Sequence, residues 1–209
     1  MNDFRDIAFS KGFMLTRGDV SSVAHFEANP LWDGWTLWLD DFTPTSRATA
    51  GDNVAILIRG QFYDGTGIAS DDIASKLAES LAISYEKFER SLGALLGRFM
   101  VIAQRAGEAW LYHDALGLRS VYYDRDAQLV ASHARLVAQK AKREAIHAAK
   151  ETRYRLDYTI FDRVWQLLPN FRLNLNSFKA ERYFPRTTNR YLDWSSDEKL
   201  ERIEKLWRN

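Results

Sequence analysis

The alternation of apolar and polar positions is most regular between Leu95 and Ala131. Successive side chains of a strand point to opposite sides, so Phe99 and Val101 would share one face and Met100 and Ile102 the other. Short turns separate the apolar runs, and the pattern predicts three or four strands joined into one antiparallel meander. Most faces of these strands are apolar, which is typical of the middle of a buried sheet.

Further strands are predicted before this meander. Gly12–Leu15 forms a first strand, and Trp35–Leu39 alternates with Trp35, Leu37 and Leu39 on one face. The continuous apolar run Val54–Ile58 is typical of a strand that is buried on both faces. The polar stretch Thr43–Asn53 is expected to form a loop. The tryptophans are expected to pack in the core; the alternative is that they form a stacking platform for a sugar or a base.

Two consecutive helices are predicted between Val54–Ile58 and the meander. Ser70 can cap a helix over Asp71–Ala82, because its hydroxyl can accept from the free N–H groups of the first turn. Ser84 begins a second amphipathic helix, which Gly97 is expected to end. Two helices that connect an earlier sheet to a later one indicate an α+β protein.

Two more helices are predicted towards the end of the chain. One runs from Ser132 to Leu156 and is basic on one side, which favours a solvated face over a phosphate or nucleic-acid surface because acidic residues interrupt it. The other begins with a capping box of Ser195 and Glu198, in which each residue satisfies the N–H group of the other. Its apolar stripe consists of Leu200, Ile203 and Trp207.

Composition excludes several functions. Lys+Arg 29 against Asp+Glu 28 gives a net charge of +1, so neither nucleic acid nor a membrane surface is an expected partner. The chain has no cysteine, which excludes disulfides, thiolate zinc sites and thiol catalysis. The four histidines lack the short spacings of metal ligands, so no metal site is expected. Without a signal peptide or an apolar run of about 20 residues, a cytoplasmic protein is the expectation.

Several short motifs, in a fixed order, carry a resemblance to a known family. Arg59-Gly60-Gln61-Phe62-Tyr63 follows the buried apolar run. The meander then contains Leu96-Gly97-Arg98-Phe99, His113-Asp114-x-x-Gly117-x-Arg119-x-x-Tyr122-Tyr123 and Val130-Ala131-Ser132. Thr159-Ile160-Phe161 and Glu181-Arg182-Tyr183 come later. Together they resemble the class II glutamine amidotransferase (glutaminase) domain of asparagine synthetases, from about Val54 to Pro185.

The resemblance implies a fold and a domain organisation. Glutaminase domains of this family are four-layer αββα sandwiches of two antiparallel sheets, of the Ntn hydrolase type. Such a domain is expected over residues 1–186. Residues 187–209 would form a linker and a C-terminal helix leading to a synthetase domain, which is either absent or supplied by a partner.

The resemblance also implies a remnant glutamine pocket. The family forms its oxyanion hole from an asparagine side chain and a glycine N–H; here Arg59 replaces the asparagine and Gly60 is kept. Asp114 matches the aspartate that binds the α-ammonium of glutamine, but the interpretation that it caps the turn that follows it is favoured. Gly117, Arg119 and Tyr123 are expected to support the pocket.

The catalytic nucleophile of the family is missing. Its glutaminases use an N-terminal cysteine, exposed by removal of the initiator methionine, whereas residue 2 is Asn2 here. No catalytic residue is therefore assigned, and glutaminase activity is not expected. Trimming of the chain to Ser10 or Thr16 could create a hydroxyl nucleophile, but no processing signal is visible.

The expected function is that of an inactive glutaminase-like N-terminal domain, a pseudoenzyme acting as scaffold or docking domain of an asparagine synthetase-like, ATP-dependent amide-forming enzyme. No cofactor is expected in this chain, and ATP and magnesium would bind only to the synthetase domain. The expected partners are that domain, in cis or in trans, and a second copy of the chain through the C-terminal helix. The alternative function is a stand-alone module that binds an amino acid or peptide in the remnant pocket.

Overall fold

The computed structural model describes residues 9, 11–18, 23, 25–40, 42–51, 54–64, 70–146, 156–185 and 191–207, and the structural statements below refer to them. Two antiparallel sheets and several helices give an α+β protein. The strands are β1 Phe13–Arg17, β2 Glu27–Pro30, β3 Trp35–Leu39, β4 Thr45–Thr49, β5 Val54–Tyr63, β6 Leu96–Arg105, β7 Glu108–His113, β8 Tyr122–Asp124, β9 Leu129–Ala131, β10 Trp165–Gln166, β11 Phe171–Asn174 and β12 Ala180–Arg182. The helices are α1 Ser70–Ile83, α2 Tyr85–Leu92, α3 Ala134–Ala141 and α4 Ser196–Trp207.

The chain divides into two compact units, and each contains one sheet. Unit 1 consists of Met1–Pro44 and Gly117–Pro169, and unit 2 of Thr45–Leu116 and Asn170–Asn209. The single domain expected over residues 1–186 stays a prediction, because residues 186–190 around its boundary lie outside the described residues.

Unit 1 holds a six-stranded sheet in the order β10-β8-β9-β1-β3-β2. Helix α3 packs on one face, where its Leu136 and Val137 join Met14 and Ala131 in an apolar core. The residues of β1 and β3 that point to the other face are buried as well: Phe13, Leu15, Trp35, Leu37 and Leu39. A sheet buried on both faces explains why β1 is apolar at consecutive positions.

Unit 2 holds the second six-stranded sheet, in the order β12-β11-β7-β6-β5-β4. Its longest pairing joins β5 to β6 in continuous register from Val54 opposite Arg105 to Tyr63 opposite Leu96. Helices α1 and α2 cover one face of this sheet, and their buried residues form one core with Phe99 and its neighbours on that face. The residues that alternate with them, among them Leu57 and Ile102, are buried too.

The structure confirms most of the predicted elements outside the meander. The first strand, the Trp35–Leu39 strand and the Val54 strand are β1, β3 and β5. Trp35 is buried, as core packing of the tryptophans predicts. The helix after residue 70 is α1, although the side chain of Ser70 lies outside the described residues.

Two of the three serines predicted at helix starts, Ser84 and Ser195, cap their helices. Ser84 accepts a hydrogen bond from the Lys87 N–H at 3.1 Å, which caps α2. At α4, the Ser195 N–H donates to Glu198 Oε2 at 2.7 Å and the Glu198 N–H donates to Ser195 Oγ at 3.2 Å. The reciprocal pair is the capping box that the sequence predicts.

The prediction of one continuous meander was wrong. Strands β6 and β7 form a hairpin in the sheet of unit 2, whereas β8 and β9 form a hairpin in the sheet of unit 1. Alternation along a strand reports which side chains share a face but not which strand lies beside it. The turn-rich segment between His113 and Tyr122 therefore connects two sheets.

The predictions of a loop over Thr43–Asn53 and of a second helix ended by Gly97 were also wrong. The stretch Thr43–Asn53 contains β4, an edge strand whose polar sequence suits the exposed border of a sheet. Helix α2 ends at Leu92 with Gly93 as its C-cap, while Gly97 lies within β6.

The predicted helix from Ser132 to Leu156 is α3 alone, which ends at Ala141 because Lys142 adopts a left-handed conformation with φ 53°. Residues 147–155 of that prediction lie outside the described residues. After Lys142 the chain turns so that Arg143 reaches the buried Asp124, with Nε 2.6 Å from Oδ2 and Nη2 3.1 Å from Oδ1. This bidentate ion pair stabilises the turn in place of further helix.

Candidate functional site

The six residues predicted for the pocket and its support fall in both units. Arg59, Gly60 and Asp114 belong to unit 2, and Gly117, Arg119 and Tyr123 belong to unit 1. The structure places the first three in one sheet: Gly60 of β5 pairs with Phe99 of β6, and the N–H of Asp114, directly after β7, donates to Phe99 O at 3.0 Å. Strands are about 4.8 Å apart, so the backbones of Gly60 and Asp114 are separated by about 10 Å.

Gly60 is required by the backbone of the β5–β6 pair. Its φ is +131°, and a Cβ there would lie 2.2 Å from the carbonyl oxygen of Arg98. Gly97 on β6 mirrors it, with φ +132° and a Cβ position 2.2 Å from the carbonyl oxygen of Gln61. Only glycine fits two such close approaches of one strand to the next.

Two aromatic rings cover these glycines. Phe99 lies opposite Gly60 and Phe62 lies opposite Gly97. The two rings meet edge to face with centroids 6.1 Å apart and an angle of 71° between their planes. Phenylalanines placed across from strand glycines restore apolar contact that the missing side chains would have made. Packing is thus a sufficient reason for a glycine at position 60.

Arg59 is a buried cation at the position of the family's oxyanion asparagine. Only 1% of its surface is exposed, and its Nη1 donates to Thr45 Oγ1 of the neighbouring strand at 3.1 Å. Arg59 is three residues from both Ile56 and Phe62, whose side chains join the helix-covered core. Because successive side chains of a strand point to opposite faces, the Arg59 side chain leaves β5 on the other face. Arginine keeps its charge in proteins, so this site carries a permanent positive charge where the family has a neutral amide.

Asp114 is engaged in the turn that follows β7. It is 2% exposed, and its Oδ1 accepts from the Leu116 N–H at 3.2 Å. This is the turn-capping contact that the favoured interpretation of Asp114 predicts. Its charge also acts on Tyr183: burial, followed by the charges of Glu89 and Asp114, raises the pKa of Tyr183 to about 12.

The three supporting residues make contacts within unit 1. Gly117 has φ 66°, which suits a turn. Arg119 is 7% exposed, and its Nη2 donates to the carbonyl oxygen of Lys11, just before β1. Tyr123 is 1% exposed and pairs with both Val130 and Trp165 inside the sheet. These contacts fix the sheet and the residues before it.

Arg119 has an electrostatic effect on one histidine. Burial, and after it the charge of Arg119, lowers the pKa of His133. The Nδ1 of His133 lies 2.8 Å from Ser132 Oγ, which in turn accepts from the Phe13 N–H at 3.0 Å. Ser132 thereby connects β1 to the residues after β9. A serine held by a backbone N–H in this way serves structure.

Sequence reasoning missed a buried polar network beneath α2. Glu89 is 7% exposed, and its Oε1 accepts from Tyr112 Oη at 3.0 Å and from Arg172 Nη1 at 2.8 Å. The Arg172 guanidinium also stacks 3.7 Å from the centre of the Trp110 ring. Burial and then the charge of Glu89 raise the pKa of Tyr112 well above its ordinary value.

The network shows how charge is buried on the helix-covered face of unit 2. Its members come from α2, β7 and β11 and are up to 83 residues apart. The one sequence feature that pointed to this network was an arginine between Phe171 and Leu173 in a strand of alternating pattern. Its carboxylate partner could not be read from spacing.

Among the described residues, no group of three or more His, Cys, Asp or Glu side chains is placed to hold a metal ion. None of the helices within the described ranges combines the length and apolar character that crossing a membrane requires. No protein-family model matches this chain. A search of curated proteins found no significant match to it either.

Proposed function

We propose that the chain is a catalytically inactive glutaminase-like domain of an asparagine synthetase-like, ATP-dependent amide-forming enzyme, and that it acts as scaffold or docking domain. The observation that carries the proposal is the state of the candidate pocket. Arg59 lies within β5, and Asp114 directly follows β7, two strands away in the same sheet; both are almost fully buried and engaged in internal hydrogen bonds.

The missing thiol supports the same proposal. The chain has no cysteine, so the acyl-enzyme chemistry of the family has no nucleophile here. The substituted oxyanion position adds to this loss, since removing one oxyanion donor costs about 2.7–4 kcal/mol of transition-state stabilisation. A domain without the nucleophile and with a substituted oxyanion position would act as a structural scaffold rather than as a catalyst.

The proposal includes the four-layer αββα architecture of the family. Three features of the separate sheets support it: each has six strands, each carries at least one helix on one face, and each buries residues on the opposite face as well. Burial of both faces is what each sheet of such a sandwich requires.

The experiment is a glutaminase assay on the purified chain. Glutamine should release no ammonia above the buffer control, because no residue can form the acyl intermediate. Measurable turnover that resists cysteine-directed inhibitors would overturn the proposal, since it would require a hydroxyl nucleophile. The intact mass of the cellular protein is measured in parallel, because trimming to Ser10 or Thr16 is what such turnover would need.

A second candidate is a stand-alone module that binds an amino acid or peptide. It is favoured by the opposite charges of Arg59 and Asp114 in one sheet, since an amino acid carries the complementary pair of charges. Against it, both side chains already have internal partners. Calorimetry with glutamine separates the two: micromolar binding that Asp114→Asn abolishes selects the module, and no heat selects the scaffold.

A further inference from the structure

Helix α4 presents an apolar stripe that no described residue covers. Every described side chain from Ser196 to Lys205 is exposed, including Leu200 at 60% and Ile203 at 51%. The helix has 12 residues, and isolated helices shorter than about 12–15 residues are only marginally stable in water. Its capping box stabilises one end, but the apolar stripe needs a partner.

The charges beside the stripe are arranged asymmetrically. With Leu200 and Ile203 as the first and fourth positions of a heptad, Lys199 and Glu204 occupy the two positions that flank the apolar seam. Lys199 lies on one side of the seam, and Glu204 lies on the other together with Asp197. The stripe therefore has one basic and one acidic border.

These borders make α4 complementary to itself in one orientation. When two such helices run parallel and in register, the flanking residue that precedes the first seam position faces the residue five positions later in the partner helix. Lys199 of each copy then meets Glu204 of the other, twice around a two-fold axis. In the antiparallel orientation Lys199 would meet Lys199 and Glu204 would meet Glu204, which are repulsive pairs.

We propose that the partner of α4 is a second copy of this chain, and that the two α4 helices pair parallel and in register. The exposed Leu200–Ile203 stripe and the Lys199–Glu204 borders carry this inference. It is independent of the proposed function, because it uses only residues of α4. A helix of 12 residues is about 18 Å long, so the contact is small and the dimer is a weak one.

The first test is sedimentation equilibrium of the full chain from micromolar to millimolar concentration. The wild-type chain should show a monomer–dimer equilibrium. Lys199→Glu turns two attractive pairs into two repulsive ones and should weaken dimerisation about tenfold, as expected for two flanking charge pairs. Lys205→Glu makes the same change of charge on the far side of the helix and should leave the dissociation constant unchanged.

The orientation is decided by a double variant. Glu204→Lys alone should weaken the dimer as Lys199→Glu does, and the two changes together should restore it, since each introduced charge again faces its opposite. An antiparallel pair predicts no such pattern, because its like-charged contacts stay like-charged in every variant. Circular dichroism of each variant shows whether the chain remains folded.

Cross-linking gives an independent readout of register. Because the chain has no cysteine, Ser196→Cys introduces a single thiol at a seam position of α4. Parallel helices bring the two thiols together and should give a covalent dimer on mild oxidation, whereas antiparallel helices keep them about 18 Å apart. The proposal is overturned by a wild-type chain that stays monomeric throughout, by single variants without effect, or by a double variant that fails to restore the dimer.

Discussion

Replacing Gly60 by alanine tests the packing explanation of the β5–β6 pair. The added Cβ would lie 2.2 Å from the Arg98 carbonyl oxygen and 2.8 Å from the Phe99 Cα, where ordinary contacts are 3.4–4 Å. Both neighbours are backbone atoms, so no side chain can rotate away to relieve the overlap. Either the strands separate locally or the backbone of β5 leaves its φ of +131°.

The magnitude follows from two costs. A non-glycine residue held in a sparsely populated backbone region costs about 1–3 kcal/mol. Forcing an extra group into well-packed surroundings costs about another 1–3 kcal/mol. We expect Gly60→Ala to lower the free energy of unfolding by about 4 kcal/mol, the sum of their mid-values. Domains are stable by only about 5–15 kcal/mol, so this is a large fraction of the total.

The assay is urea unfolding followed by tryptophan fluorescence. With an m-value of about 2 kcal/mol/M, the midpoint should fall by about 2 M. Gly107→Ala is the matched control in the same unit, since its φ is +79° but a Cβ there would meet nothing within 4 Å. It should cost only the backbone strain, about 1–2 kcal/mol. Equal losses for the two variants would refute the steric reasoning.

Three further predictions concern other parts of the molecule. Tyr183 has a pKa of 10.0 in the unfolded chain and about 12 in the folded protein. Its hydroxyl therefore contributes fully to the free energy of unfolding below pH 10, and above pH 10 this contribution falls by up to about 1.4 kcal/mol per pH unit. Tyr183→Phe should flatten this part of the stability–pH curve. Arg143→Ala leaves the buried Asp124 carboxylate without its guanidinium and should cost about 3 kcal/mol in urea unfolding, whereas Arg163→Ala, which removes only exposed ion pairs, should cost less than about 1 kcal/mol. Ser84→Ala removes the N-cap of α2 and should lower the melting temperature in calorimetry by the equivalent of about 1 kcal/mol, and an unchanged melting temperature would contradict the capping role.

Local features of the fold were predictable because they depend on neighbouring residues. The predicted helix over Asp71–Ala82 is α1, and Ile73, Leu77 and Leu81, which recur on one stripe of it, are all buried. The serine caps at Ser84 and Ser195 bond residues only three positions away. Such contacts join residues that are close in sequence, so the period of the apolar positions and the capping residues are enough to predict them.

Long-range partners could not be predicted in the same way. The division of the meander depends on β9 pairing with β1, more than a hundred residues earlier in the chain. The end of α3 depends on the ion pair of Arg143 with Asp124, 19 residues away, and the period of the apolar positions does not predict that ion pair. Helical pattern alone therefore overextended α3.

The motifs led to the candidate residues but gave no information on their environment. Arg59 and Gly60 lie within β5, and Asp114 directly follows β7, two strands away in the same sheet. Their burial and their internal partners depend on Thr45 and Leu116, and neither of these contacts is visible in the motifs. The network around Glu89 was missed for the same reason.

The most direct test of the central claim is the choice of nitrogen donor by a complex. A polypeptide with the family's pyrophosphate-binding serine-glycine-glycine-x-aspartate-serine motif, encoded after or beside this chain, is purified with and without it, and ATP-dependent amide formation is measured with ammonia and with glutamine. The account predicts that the chain raises the rate with ammonia but never allows glutamine to replace it. Amide formation from glutamine, or a rate with ammonia that is independent of the chain, would contradict the account.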